Sequence, residues 1–421
     1  MSEKSSWIEV PDHSDFPLEN LPFGVGKRLN GTVSVYTRVG DMAIDLGAMV
    51  ACDLLADPRF SGRDLFQTDS LNAFMGSGSS VWSAVRYRLT ELLTAGNPEF
   101  RDAEDNKHKC LVPVSELTMQ IPSHIGDYTD FYSSIEHATN MGKMFRDPEN
   151  ALLPNWKHIP VGYNGRSSSI VVSGTPIRRP LGQTKADDAD TPSFGPSKLF
   201  DIELEMGFFT GPGNTLGEPI PIDKAHEHIF GMAIVNDWSA RDIQKWEYVP
   251  LGPFLGKSFG TSVSPWVVTL EALEPFRVQG QPQDPPVLPY LQTSRPGAYD
   301  LELEILLKTP KMSEGHRICR TNFASMYWSM SQQLTHQTSN GTNIRPGDLY
   351  ASGTVSGSTE DSFGSLLELT WRGTKPLQLP SGEERKFLLD GDEVIMRAWG
   401  EKDGLRIGLD EVRGVVEPAG D

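Results

Sequence analysis

Apolar and polar positions alternate along much of the chain, and the elements this predicts are short strands separated by glycine and proline turns. Thr32-Val33-Ser34-Val35-Tyr36, Ile170-Val171-Val172-Ser173, Trp266-Val267-Val268-Thr269-Leu270 and Glu393-Val394-Ile395-Met396-Arg397-Ala398-Trp399 are such runs. Helical spacing is rarer. Ser80 caps a predicted helix with Val81, Val85, Leu89, Leu92 and Leu93 on one face and Ala95-Gly96 as its stop. Another helix is predicted after Asp223, burying Ala225, Ile229 and Phe230. A further one runs from Phe323 through Met326, Tyr327, Met330 and Leu334 to Asn340-Gly341.

Phe200-Asp201-Ile202-Glu203-Leu204-Glu205-Met206 has a near twin in Tyr299-Asp300-Leu301-Glu302-Leu303-Glu304-Ile305. Strict alternation puts the acids of each run on one strand face and the apolar residues on the other. An antiparallel strand with one wet face explains both copies, and spacing alone does not separate them.

Length and composition set the frame for these elements. At 421 residues the chain exceeds what one hydrophobic core usually serves, so a small unit followed by a larger one is expected. The polar run Arg101 to Lys109 gives way near Val114 to Met119, and the division is placed at 1–118 and 119–421. With 38% hydrophobic residues, 31 prolines and 40 glycines, the composition is that of a loop-rich, strand-rich globular protein. A formal net charge of -18 excludes nucleic acid and anionic membranes as partners, because both need a concentrated basic surface. Cys52, Cys110 and Cys319 cannot all pair and show no CxxC spacing, so reduced, buried thiols are expected. Met1 to Trp7 has no apolar signal-peptide core and no transmembrane-length apolar run occurs, which predicts a cytoplasmic protein.

Chemistry concentrates in Asp127-Tyr128-Thr129-Asp130-Phe131-Tyr132-Ser133-Ser134, followed by His137 and Arg146. Asp130 is a candidate cation ligand, Tyr132 and Arg146 candidate contacts for an anionic substrate, and His137 a candidate proton carrier, since histidine alone titrates near neutrality unperturbed. A histidine satisfied by a backbone carbonyl is the competing reading. Glu203 and Glu205, two apart on one strand, can share a cation. No His-x-x-x-His or cysteine pair is offered, so a hard cation suits better than zinc. Water is expected as the nucleophile rather than a serine, and no Gly-x-x-x-x-Gly-Lys loop supports phosphoryl chemistry.

The same stretch resembles the start of the catalytic domain in the fumarylacetoacetate hydrolase family. The likeness continues in order through Asn150-Ala151-Leu152-Leu153-Pro154-Asn155-Trp156, Val161-Gly162-Tyr163-Asn164-Gly165-Arg166-Ser167-Ser168, Asn236-Asp237-Trp238-Ser239-Ala240-Arg241-Asp242-Ile243-Gln244 and Leu367-Glu368-Leu369-Thr370-Trp371. It spans most of the chain, including the N-terminal unit, and so points to the full-length, two-domain type. The resemblance implies a mainly β fold with some α: a small N-terminal SH3-like β-barrel and a larger C-terminal β-roll. It implies hydrolysis of the carbon–carbon bond of fumarylacetoacetate to fumarate and acetoacetate, the last step of tyrosine and phenylalanine breakdown, by a homodimer that uses calcium or magnesium.

Residue by residue, the family's metal ligands fall on Asp130, Glu203, Glu205 and Asp237, with Lys257 and Thr261 at positions near the ion. Its general base falls on His137 and the orienting carboxylate on Glu368. Arg241, Gln244 and Lys257 match its oxyanion and enolate donors, and Tyr132, Arg146, Tyr163, Gln244, Tyr248 and Thr354 its substrate contacts. Protonated lysine cannot ligate a cation, so backbone or hydroxyl oxygen is expected to serve there. Ile135-Glu136 stands where animal enzymes carry a basic residue and a glutamine. The rivals are an acylpyruvate or related diketo-acid hydrolase, an oxaloacetate decarboxylase, and a catalytically silent metal-and-carboxylate binder; the last has no use for an oriented base.

Overall fold

Period-two patterning at the start of the chain builds a five-stranded antiparallel sheet in the computed structural model, which describes residues 5–60 and 62–420. The Met1 to Lys4 part of the terminal stretch lies outside the described residues. Strand order is Leu111–Pro113, Met42–Asp45, Val33–Val39, Phe23–Arg28, Leu117–Met119. Helix Ser79–Leu93 packs beside it, with Val81, Trp82, Val85, Leu89, Leu92 and Leu93 buried. Its N-cap is Gly78 at φ 85°, not Ser80, and it stops at Leu93, short of Ala95-Gly96. Thr94 turns extended there and forms a β-bridge with Ser6.

A larger mixed sheet follows. Its order is Gly162–Asn164, Tyr128–Phe131, Leu349–Ala351, Leu204–Thr210, Ile229–Asp237, Thr261–Val263, Ile170–Val172, with Val268–Thr269 pairing at the side of Ile229–Asp237. Each residue of Ile229–Asp237 is buried. The helix predicted after Asp223 is therefore wrong: only a single 3₁₀ turn, Ala225–His228, precedes this strand. A strand covered on both faces reads as a continuous apolar run, and periodicity cannot tell that from a buried helix.

The other predicted helix also shortens. Phe323–Ser325 is a 3₁₀ turn, Met326 to Trp328 form a linker, and the helix is Met330–Thr338, started by a Ser329/Gln332 capping box. The linker is held by the Tyr327 and Trp328 N–H groups, both donating to the Ser133 carbonyl.

A second sheet, His316–Asn322, Glu302–Lys308, Glu393–Lys402, Leu405–Glu417, Ile177–Arg178, lies against the first. One apolar cluster fills the space between them, with Met206, Phe208 and Ile234 from one side and Leu303, Ile305 and Met396 from the other. A separate cluster joins the small unit to the outer face of the large sheet. Phe230 is its wedge, with ring centroids 5.4 Å from Phe74 and 5.2 Å from Trp82.

The twin runs now part company. Residues 200 to 206 are all buried, and the strand is broken at Ile202 and Glu203, between Phe200–Asp201 and Leu204–Thr210. The second copy keeps the wet face: Asp300 is exposed and Glu302 and Glu304 are half-buried, alternating with buried Leu301, Leu303 and Ile305. The one-wet-face expectation thus fails for the first copy, which lies in mid-sheet. Cys110 and Cys319 are buried and Cys52 half-buried, and all of these thiols are free. Among the described residues no helix is long and apolar enough to cross a membrane.

Candidate active site

Sheet order gathers the acids. Asp130 stands on Tyr128–Phe131, opposite Ala351 in a parallel pair; Ala351 in turn faces Gly207 on the strand that carries Glu205. That strand pairs with Ile229–Asp237, which ends in Asp237, and the break before Leu204 turns Glu203 toward the same end. One carboxylate oxygen from each of Asp130, Glu203, Glu205 and Asp237 lies within 4.8 Å of all the others, and all four residues are buried.

Two cations answer these four acids. Lys257 Nζ bonds to Glu203 Oε2 and lies 2.6 Å from Asp237 Oδ2, and Arg241 Nη1 is 2.8 Å from Glu203 Oε1. Burial raises the Glu203 carboxyl, but Lys257 and Arg241 outweigh it and hold Glu203 below its ordinary value. Asp130 and Glu205 have no such partner. Burial first, then the neighbouring acids, push both well above the usual carboxylate range. Among the described residues, Asp130 Oδ1 and Glu205 Oε1 are buried without a hydrogen-bond partner, while Glu205 Oε2 accepts only the Gly353 N–H, at 3.0 Å. Two buried acids without a cationic partner, each with an unspent oxygen, fit a divalent, oxygen-seeking cation, which would favour their ionised form. Thr261 Oγ1 donates to Asp237 Oδ1 at 3.0 Å from the head of the neighbouring strand. Lys257 contributes charge here and no lone pair.

Beside this cradle, helix Ile135–Phe145 begins at Ser134, whose hydroxyl accepts the His137 N–H. The helix buries His137 and Asn140, one turn apart, on the same face. His137 Nδ1 is 2.7 Å from Glu368 Oε2, and Asn140 Nδ2 donates to Glu368 Oε1 at 3.0 Å. Ser365 and Ser356 hydroxyls, at 2.8 and 3.0 Å, also donate to Glu368 Oε2. Burial raises the Glu368 carboxyl, yet the imidazole and these donors outweigh it, so Glu368 sits below its ordinary value. A carboxylate so fixed holds one nitrogen of the imidazole and leaves the other free for a proton.

Of the remaining candidates, Tyr132 touches this pair and the others sit on neighbouring groups or apart. The Tyr132 ring stands edge-on to His137, centroids 5.2 Å apart, and the Tyr163 hydroxyl donates to Asp237 Oδ2 at 3.2 Å. Burial pushes both phenols up, and for Tyr132 the Arg146 guanidinium pulls the other way. Arg146 ends the base helix, exposed, with Nη1 bonded to the Ala151 carbonyl. Gln244 Oε1 accepts from Arg241 Nη1 at 3.3 Å. Arg241 Nη2 and Thr354 Oγ1 are buried and unpartnered. Tyr248, 50% exposed, lies at the rim beyond helix Arg241–Glu247.

Sequence reasoning passed over Asp201, Asn140, Ser356 and Ser365. Asn140, three residues after a singled-out histidine on a helix, was open to discovery by spacing; Ser365 by its place as the cap of Leu366–Leu369. Asp201 carried no signal, since its twin Asp300 sits in the same pattern on the surface.

Two family descriptions match the chain: "Fumarylacetoacetase N-terminal" over residues 19–122 and "Fumarylacetoacetate (FAA) hydrolase C-terminal" over 127–413. The chain is 55% identical to the fumarylacetoacetase of Homo sapiens over 416 residues, 98% of this chain and 99% of that one. Its identity to the Dictyostelium discoideum fumarylacetoacetase is 50%, over 100% and 99% of the two chains. Among solved structures, the fumarylacetoacetate hydrolase of Exiguobacterium antarcticum superposes with a TM-score of 0.53 at 17% identity, over 94% of this chain and 99% of that one, which speaks to fold alone. Family match and near-complete relatives agree with the buried carboxylates and the histidine–glutamate pair: this chain belongs to the fumarylacetoacetate hydrolase family and carries both the N-terminal and the C-terminal part of it.

Proposed function

We propose that this protein is a fumarylacetoacetase: it hydrolyses the carbon–carbon bond of fumarylacetoacetate to fumarate and acetoacetate, the closing step of tyrosine and phenylalanine breakdown. The observation that carries this reading is the buried His137–Glu368 pair, 2.7 Å apart, set beside a carboxylate cluster with unspent oxygens. Near-complete likeness to fumarylacetoacetases supports the substrate.

Hydrolysis of a carbon–carbon bond expels a carbanion, so the substrate must delocalise that charge into a carbonyl, as a 1,3-diketone does. His137, held through Nδ1, takes a proton from water at Nε2, and Glu368 stabilises the imidazolium that results. The water oxygen bonds to the fumaroyl carbonyl carbon, the carbon–carbon bond breaks, and its electron pair leaves as the enolate of acetoacetate, which then takes up a proton. Arg241 Nη2, with Nε and Nη1 already engaged, offers its free N–H where oxyanion charge develops, and Gln244 and Lys257 flank it. By the family likeness, Tyr132, Tyr163, Tyr248, Thr354 and Arg146 are assigned to the substrate's carboxylates. Asp130, Glu203, Glu205 and Asp237 would hold a calcium or magnesium ion, which would supply Lewis-acid polarisation of the diketone.

By the same family likeness the protein works as a homodimer in the cytoplasm. The unit up to residue 118 is read as an SH3-like barrel and 119–421 as the β-roll; the five-stranded sheet and the two facing sheets support two units, while strand Leu117–Met119 carries the first sheet across that boundary. The test is a spectrophotometric assay on fumarylacetoacetate and on an acylpyruvate, with and without EDTA. Chelator-sensitive turnover favouring fumarylacetoacetate is expected; preference for the acylpyruvate sends the protein to its superfamily cousins, and no turnover of either leaves a binder.

A further inference from the structure

We propose that Asp201 is a positioning residue that sets both arms of this site, a role that rests on the hydrolytic reading above. Its carboxylate is fully buried and spent on both arms. Oδ2 accepts Arg241 Nε at 2.7 Å and the Leu367 N–H at 3.1 Å; Oδ1 accepts the Leu366 N–H at 2.8 Å and the Ile202 N–H at 2.7 Å. Leu366 and Leu367 open the short helix that carries Glu368, and a helix's first N–H groups have no partner within it. Asp201 takes those two, and the Ser365 hydroxyl takes the Glu368 N–H at 3.3 Å. One carboxylate thereby fixes the guanidinium that meets developing charge and the turn that holds the base's partner.

Asp201 also fixes where Arg241 starts. Phe200–Asp201 pairs with Ser239–Ala240, Asp201 opposite Ser239, immediately before the helix that begins with Arg241. With Nε on Asp201 and Nη1 on Glu203, only Nη2 remains for the substrate. Without Asp201 the guanidinium is anchored only through Nη1, by Glu203, itself a cation ligand in this reading, and by the longer bond to Gln244. The twin supplies the contrast: Asp300, in the same sequence pattern, is exposed and accepts only from Asn322 among the described side chains.

Asp201→Asn tests this with little change of shape. The amide keeps one acceptor and gains a donor, so whichever way it turns, one arm meets donor against donor. kcat on fumarylacetoacetate is expected to fall ~10- to 100-fold, as when other outer-shell orienting partners are removed. KM is expected to move less than about threefold, since ground-state binding is left in place. In Arg241→Gln or Glu368→Gln backgrounds the same substitution is expected to cost clearly less, because part of its action runs through each. A role confined to stability lowers the melting temperature but leaves kcat of the folded enzyme intact. Unchanged kcat in folded Asp201→Asn, or losses that multiply in full in both backgrounds, overturns the proposal. NMR of the arginine Nε–H groups reads the tether without turnover: in the wild-type protein the Arg241 Nε–H is expected to exchange with water far more slowly than a solvated guanidinium, whether or not Asp201→Asn folds. Exchange at the solvated rate overturns the proposal. Wild-type protein inactive on fumarylacetoacetate but with a protected Arg241 Nε–H refutes the function and keeps the tether.

Discussion

His137 and Glu368 lie 231 positions apart in the chain and 2.7 Å apart in space. Removing the charge of the partner while keeping its shape, Glu368→Gln, is expected to impair kcat without abolishing it, since the amide oxygen still accepts from Nδ1 but no longer balances the imidazolium; steady-state kinetics at fixed cation concentration measure it. The two arginines divide differently. Arg146, exposed at the end of the helix that carries His137, is proposed to meet a substrate carboxylate, a contact that would be made about equally in ground and transition states, so Arg146→Gln is expected to raise KM far more than it lowers kcat. Arg241→Gln is expected to lower kcat by ~10²- to 10³-fold, the range for a lost oxyanion donor. A pure kcat defect for Arg146→Gln, or a pure KM defect for Arg241→Gln, contradicts the division. Residue types and motif likeness made these side chains visible in the sequence. The hydrogen bonds that hold them, from Asn140, Ser356, Ser365 and Asp201, were not, because an ordinary serine or aspartate declares itself only by what the fold brings near it.

Among the elements, the twin strands are the clearest case of one pattern with two fates. Alternation was legible in both, but whether a face is wet depends on neighbours far along the chain. Leu204–Thr210 lies between Leu349–Ala351 and Ile229–Asp237 and is buried throughout, while Glu302–Lys308 keeps its acids half-buried, Glu302 bonded to Arg320 and Asn322 and Glu304 3.8 Å from Arg397. Glu203→Ala and Glu205→Ala are each expected to weaken calcium or magnesium binding by at least ~10-fold and to remove most turnover, whereas Glu302→Ala and Glu304→Ala change either little. Isothermal titration of the four variants decides it, and equal losses from both strands count against the assignment. The misread helix after Asp223 has the same origin: a strand covered on both faces has no polar period to betray it.

At the scale of the molecule, a protein of net charge -18 would have to draw an anionic substrate through local donors, and the proposed function assigns that to Arg146, the unpaired Nη2 of Arg241 and a cation held by the buried acids. Division into a small and a large unit was legible from length and composition; how they are joined was not. Arg406 Nε on the closing strand Leu405–Glu417 is 2.6 Å from Asp15 Oδ1, and Asn20 donates to the Gly408 carbonyl on that strand. Asp410, at φ 64° on the same strand, is pushed up to about 6 by burial, with Arg38 of the small sheet pulling the other way. A carboxyl raised in the fold contributes stability that is fully present below its unfolded value and lost as pH rises through about 6. Asp410→Asn is thus expected to be more stable than wild type at pH 7.5, with the gain shrinking toward pH 5.5; parallel denaturation midpoints across that range contradict it.

The central claim, that His137 activates water beside a cation cradle it does not help to build, is tested most directly by His137→Ala. kcat/KM on fumarylacetoacetate, measured on purified variant whose calcium or magnesium affinity by titration matches wild type, is predicted to fall by ~10²- to 10⁴-fold, the usual worth of a positioned general base. Unchanged kcat/KM in that folded, cation-competent variant contradicts the account.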